Sequence, residues 1–455
     1  MKSILLLFAI MLAACASDVV SVMPDAEKPA KRLLYPYQLS AQCKGCHTDQ
    51  YQQHSESMHS KAFTNPFFNL QYFNEVVPQA KLNPTLIPDA RKCIACHAPI
   101  VFMNYTGLVS TPEEAERFET GVTCDFCHTF GGYAENGDYL QVTSGRKQGP
   151  FQTRGASSHH SEYSGFVEVG EFCGGCHNSN MHTGAKLKST YSEWLESNYS
   201  KQRVTCQQCH MNKNGFLRGG ISDYEQGEAA FVNVGFMEVK QERHEKLYNH
   251  SFPGAHSANQ LIDAVPLDIQ TDLAPPDSDG RFNFKLIVNN ERSGHKMPSG
   301  SSDLRFMWLE VTAVAADGRK FPVALKQEIT AEENDYSIAG SSRGDAEILQ
   351  SDVPTGSRLY RAVMTNSSGR QSLFQSDVVK NDFDNRLNAS EIRTEIYTLQ
   401  LPEGFSGEIN LEARLYYRRS PSSFAKRLRI KDYGSVLIAS FKKQTFINLS
   451  DVLQK

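Results

Sequence analysis

The sequence predicts an α-plus-irregular domain with little regular secondary structure, followed by an all-β sandwich, and three observations predict it. Ten of the 11 cysteines fall into five identical short units that end at residue 210. Thirteen of the 14 histidines lie before residue 257. Beyond that point the cysteines stop, and the hydrophobic period becomes two, the spacing of half-buried strands. The 455 residues are 40% hydrophobic and 22% charged, which excludes a disordered chain, a collagen and a polytopic membrane protein. With 47 basic against 51 acidic residues there is no footprint for nucleic acid.

Taken in chain order, residues 1–14 read as an export signal: Lys2 precedes an apolar run, Ile4 to Ala14, that is too short to span a bilayer. The run ends in Leu12-Ala13-Ala14-Cys15, which resembles the lipobox of bacterial lipoproteins. That resemblance makes Cys15 the lipidated mature N-terminus. An ordinary signal peptide with an incidental cysteine is the plainer alternative. Residues 15–39 carry Pro24, Pro29 and Pro36 with no helical period and read as a tether. Ala16 and Ser17 after the cysteine point to an outer-membrane lipoprotein that faces the periplasm or the cell surface, held to the membrane by its lipid.

Residues 40–258 form the next unit. It contains Cys43-x-x-Cys46-His47, Cys93-x-x-Cys96-His97, Cys124-x-x-Cys127-His128, Cys173-x-x-Cys176-His177 and Cys206-x-x-Cys209-His210. At this composition, on the order of one accidental CxxCH is expected in a hundred such chains. Two thiols three positions apart reach the two vinyl groups of one haem, and the adjacent histidine lies under the iron, so the unit predicts five covalently attached c-type haems. Zinc knuckles do not require a histidine after every second cysteine, redox CxxC pairs occur singly, and disulfide scaffolds do not repeat one tight spacing.

Nine histidines remain for the opposite faces of the irons, and at least four of them must be ordinary surface or core residues. His59 ends a polar helical stretch, Tyr51 to Ala62, and is the first candidate. His250 and His256 flank the turn Ser251-Phe252-Pro253-Gly254-Ala255 and suit neighbouring haems. His159 and His160 share a Ser/Gly-rich loop, where His160 is the candidate. His182 is too close in sequence to His177 to serve the same iron, and His54 and His244 read as non-ligands.

Gly121-Val122-Thr123 before the third motif, Glu171-Phe172 before the fourth, Tyr191-Ser192-Glu193-Trp194 before the fifth, Ser57-x-His59 and His250-Ser-Phe-Pro-Gly resemble a known family. It is the multihaem family typified by the tetrahaem cytochrome of ammonia oxidisers, and the resemblance covers about residues 40–257. It implies closely packed, largely bis-histidine haems and electron transfer to and from redox partner proteins. Five motifs instead of four, and a further C-terminal domain, depart from the pattern. The broader superfamily includes pentahaem nitrite reductase and hydroxylamine oxidoreductase. This chain has a histidine in all five motifs where the former carries a lysine in one, and no element matches the latter's catalytic tyrosine.

Residues 262–450 are predicted to form the sandwich. Strands are expected at Val265–Leu273, Phe282–Val288, Leu304–Val314, Phe321–Leu325, Glu408–Tyr417 and Gly434–Phe441, with Ala274 to Gly280 as a hairpin connection. Gly294-His295-Lys296-Met297-Pro298 resembles a GHxxP segment of β-domains attached to other multihaem cytochromes, and His295 is a candidate ligand if this loop folds back on the first domain. No nucleophile-base constellation is present, so no catalytic residue is assigned. The sequence therefore reads as a pentahaem cytochrome c of a periplasmic or outer-membrane respiratory chain. The alternative is a reductase or oxidoreductase acting on a small nitrogen or sulfur compound at a five-coordinate haem.

Overall fold

The computed structural model describes residues 37–449, except 135–137, 143–145, 152–158, 181–182, 214–222, 231–232, 235–236, 239–242, 272–274, 327–335, 342–348 and 350–351. The signal segment, Cys15, nearly all of the tether and His182 lie outside the described residues.

The N-terminal half is a series of short helices joined by irregular chain. The motifs sit on or beside helices α1 (Ser40–Cys43), α2 (Thr48–Glu56), α3 (Ile87–His97), α4 (Cys124–Thr129), α5 (Glu171–His177) and, after α6 (Thr190–Leu195), α7 (Cys206–His210). One helical turn puts positions i, i+3 and i+4 on one face, so each CxxCH presents both thiols and the imidazole together. Such short helices are not stable alone. They are held by caps, such as the Thr123 hydroxyl accepting from Phe126 N at 3.1 Å and the Thr205–Gln208 capping box, and by a small core of Phe63, Tyr72, Val77, Ala90, Ile94 and Val101.

The C-terminal half is two antiparallel sheets. Strands β1 (Leu267–Gln270), β2 (Arg281–Asn289), β4 (Val323–Leu325) and β7 (Ile392–Gln400) form one in the order β1-β2-β7-β4. Strands β3 (Phe306–Ala315), β5 (Arg358–Thr365), β6 (Lys380–Asp384), β8 (Ser406–Arg418) and β9 (Ser435–Asn448) form the other in the order β6-β5-β3-β8-β9, with Lys320–Phe321 pairing on β3. Alternate residues of facing strands fill the space between the sheets: Phe284, Leu286 and Val288 from β2 against Leu309, Ala313, Leu411 and Leu415.

Three strands, β5, β6 and β7, were not expected from the sequence. All eight residues of β5 are buried, including Arg358 and Arg361, so it has no period of two. Arg358 is paired with Glu395 of β7 at 3.1 Å, and Tyr360 donates to the same carboxylate at 3.1 Å. Burial of that ion pair inside a strand is what hides both strands from a hydrophobic pattern. The expected helix through His59 also differs: α2 stops at Glu56, and Ser57 turns extended with φ −70° and ψ 161°, so His54 and His59 face different surroundings.

Candidate haem-binding site

The cysteines and histidines of all five motifs line one continuous cavity of about 1060 Å³, together with His59, His159, His250, His256 and His295. No disulfide joins the ten described cysteines. Their thiols approach one another across motifs, Cys43 beside Cys124, Cys96 beside Cys176, and Cys173 beside Cys206. The first motif therefore adjoins the third, and the fourth adjoins both the second and the fifth.

Four imidazole pairs face each other across this cavity. Ring centres are 6.0 Å apart for His47 and His159, 6.2 Å for His59 and His177, 6.3 Å for His128 and His250, and 6.4 Å for His210 and His295. Two imidazoles on opposite sides of one metal ion, each bonded at about 2 Å, put their ring centres roughly 6 Å apart. The gap in each pair thus fits one iron with two axial nitrogens. The ring planes are 30°, 76°, 23° and 10° apart in that order, so the second pair is near perpendicular, the first is tilted and the last two are closer to parallel.

The hydrogen bonds select the tautomer that an iron needs. Nδ1–H donates to a backbone carbonyl at His47 (Ala229, 2.7 Å), His97 (Ala62, 2.7 Å), His128 (Gln148, 2.6 Å), His210 (Pro253, 2.8 Å), His250 (Tyr248, 2.8 Å) and His295 (Lys296, 2.9 Å). Each Nε2 lone pair is left for the cavity. Burial pushes His97 and His177 down to about 3 and His59 and His250 down to about 4, which keeps these rings neutral. His54 differs: its Nε2 donates to the Val122 carbonyl at 2.8 Å, so its ring is used in the wall.

His59, His250 and His295 thus stand opposite motif histidines. His160 does not. Its neighbour His159 faces His47, because the His160 carbonyl accepts from Lys147 N at 2.8 Å and ties that residue into a short parallel strand pair. His256 faces no motif histidine among the described ring pairs; it stands on the cavity wall, where the protein around it, Arg305 and Arg419 hold its pKa down to about 4. His97 is stacked on Phe68, ring centres 3.7 Å apart and planes 4° apart, and has no opposing histidine among the described residues.

Backbone contacts place His59. Val122 N donates to the His59 carbonyl at 2.9 Å, and Gly121, at φ +79°, lies so close that a Cβ there would stand 2.3 Å from the Ser60 carbonyl oxygen. Replacing Gly121 by alanine is expected to cost about 1–3 kcal/mol from the clash and the positive φ, read as a lower thermal midpoint.

His295 comes from the sandwich, and a buried polar bolt holds it. Glu193 of α6 pairs with Arg386 at 2.9 Å, and both side chains are at most 4% exposed. The same carboxylate accepts from Ser299 Oγ at 2.7 Å, Ser189 Oγ at 2.7 Å and Lys296 N at 3.2 Å. Asp384 in turn holds Arg386 at 2.8 Å and Lys296 at 3.1 Å. The residue after His295 is therefore anchored by its main chain to the first domain. Sequence reading missed Glu193 and Arg386, although Glu193 stands in the quoted Tyr191-Ser192-Glu193-Trp194 segment.

Residues 42–129 match the model of the family described as cytochrome c554 and c-prime. Among solved structures, a penta-heme cytochrome c552 from Thermochromatium tepidum is similar in fold over 90% of this chain and 99% of that one, with a TM-score of 0.59 at 21% identity. A macrocyclisation catalyst of alchivemycin A biosynthesis, AvmM, matches 41% of this chain and 89% of its own at 12% identity, and its TM-score of 0.20 carries no argument. No curated protein matches the chain. The five CxxCH units, the family match over the first three of them and the shared fold support a multihaem c-type cytochrome with a β-domain at its C-terminus.

Proposed function

We propose that the protein is a lipid-anchored pentahaem cytochrome c that passes electrons between redox partner proteins in a periplasmic or outer-membrane respiratory chain. The observation that carries this reading is the set of four imidazole pairs at 6.0–6.4 Å lining the cavity shared by all five motifs. Haem supplies one-electron exchange between ferric and ferrous iron when bound. The chain's own work is to hold and orient. Cys43, Cys46, Cys93, Cys96, Cys124, Cys127, Cys173, Cys176, Cys206 and Cys209 would form the thioethers. His47, His97, His128, His177 and His210 would be the proximal ligands, and His159, His59, His250 and His295 the distal ones. Neutral rings clamped through Nδ1 to the backbone change little between oxidation states, which suits a carrier. Purified from a host with cytochrome c maturation, the protein is expected to carry five covalent haems by pyridine haemochrome and intact mass. Four or fewer would remove at least one motif from the reading.

The anchor has its own test. Serine in place of Cys15 is expected to move the protein from the membrane fraction to the soluble one, and a wild-type protein that is already soluble would refute lipidation.

One observation favours a second reading, a reductase or oxidoreductase acting on a small nitrogen or sulfur compound: His97 lacks an opposing histidine among the described residues. Electron paramagnetic resonance of the oxidised protein separates the two. Low-spin haem only, unperturbed by nitrite or hydroxylamine and without a carbon monoxide adduct after reduction, is the carrier, with the iron at His97 taking its sixth ligand from outside the four pairs. A high-spin signal from one haem in five, abolished by nitrite or hydroxylamine, with a carbon monoxide adduct after reduction and reductant-dependent turnover, is the enzyme.

A further inference from the structure

At one end of the larger sheet, the pairing of Phe306 with Arg418 sets Arg305 beside Tyr417 and Arg419, and all three line the cavity. Tyr417 is 2% exposed, yet its hydroxyl has no hydrogen-bond partner among the described residues. An orphaned buried hydroxyl is destabilising unless a bound group satisfies it. The arginines are close enough that each acts electrostatically on Tyr417 and on His256, and Arg305 also depresses Arg419. Neither arginine forms an ion pair among the described residues. Arg419 is aimed by the turn that carries His256: its Nε donates to the Ala255 carbonyl at 3.0 Å and its Nη2 to the His256 carbonyl at 3.1 Å. Arg305 donates to the Ser299 carbonyl. Two converging guanidinium groups, an unused hydroxyl and an imidazole make an anion-receiving wall, and planar guanidinium forks match carboxylates.

A haem held in this cavity would bring two propionate carboxylates to such a wall.

We propose that Arg305, Tyr417, Arg419 and His256 receive the propionate carboxylates of a haem held in the cavity they line. This rests on the pentahaem reading above. It gives His256 a role other than an axial one and ties the sandwich to the haem sites in two places, through His295 at the fifth motif and through this wall. A cation near the propionates favours the ferrous state, so its removal lowers the midpoint potential of that haem alone.

The test is an optical and paramagnetic-resonance redox titration of the haem-loaded wild type and of the Arg305→Gln, Arg419→Gln and Tyr417→Phe variants, with haem content measured on each. All four proteins are expected to hold five haems, with a downward shift of a single midpoint in both arginine variants. Tyr417→Phe is expected to shift the propionate bending band in resonance Raman with little change in midpoint. An unchanged midpoint in both arginine variants overturns the proposal, and so does an equal shift of every haem. A wild type with fewer than five haems overturns the underlying reading, an outcome that the haem count reports separately.

Discussion

Replacing Glu193 by alanine is expected to cost about 3 kcal/mol of stability, because it strands Arg386 in an interior where both partners are almost wholly buried. Asp384 still holds that guanidinium, which keeps the loss near the low end for a broken buried pair. Thermal unfolding of the haem-loaded protein measures the cost. A second readout is local: with Lys296 N and Ser299 released, the loop carrying His295 loosens, and a fraction of one haem is expected to become high-spin. A variant as stable as wild type, with no more high-spin haem than wild type, would show that the bolt does not position the ligand.

The same carboxylate sets a pH dependence. Burial opposes its ionisation, but Arg386 and the Ser299 and Ser189 hydroxyls outweigh burial and hold its pKa below the ordinary glutamate value. A group depressed on folding contributes stability that is present above its unfolded pKa and lost as pH falls through the folded value. Acid is therefore expected to weaken the contact between the two halves below about pH 4, and Glu193→Gln to flatten that part of the stability profile.

His59→Ala is expected to give the largest spectroscopic change. It removes the ring that faces His177 at 6.2 Å and leaves Phe252, 4.5 Å from the His59 ring centre, on that side. Phenylalanine cannot ligate, so one more iron than in wild type should turn high-spin and, once reduced, bind carbon monoxide. The low-spin signal of the near-perpendicular pair should vanish, while the signals of the other three pairs persist. Survival of the perpendicular signal would assign it to another pair and remove His59 as a ligand.

Much of the site is legible in the chain because covalent haem attachment is a local affair. Two thiols and an imidazole at i, i+3 and i+4 need only one helical turn, so all five motifs can be read without the fold. Distal partners are a different matter. His59 stands opposite His177, 118 positions along the chain, and His295 opposite His210, 85 positions along. No spacing rule links such pairs. The choice of His159 over His160 turns on one backbone hydrogen bond that fixes which of two adjacent side chains enters the cavity.

In the sandwich, strands with one face buried and the other wet, such as β2 and β8, show their period of two directly. Strand β5, buried on both faces, does not, because two arginines interrupt its apolar run and are satisfied by residues distant in sequence, Arg358 by Glu395 and Arg361 by the Tyr336 carbonyl. By itself, the sequence determined the number and chemistry of the attachment units, the boundary where cysteine-rich chain gives way to alternating strands, and His295 as a residue able to return to the first domain. Only the tertiary structure decided which imidazole faces which motif, the angle between their planes, and the Glu193–Arg386 bolt, since each depends on long-range packing that brings distant side chains within a few ångströms.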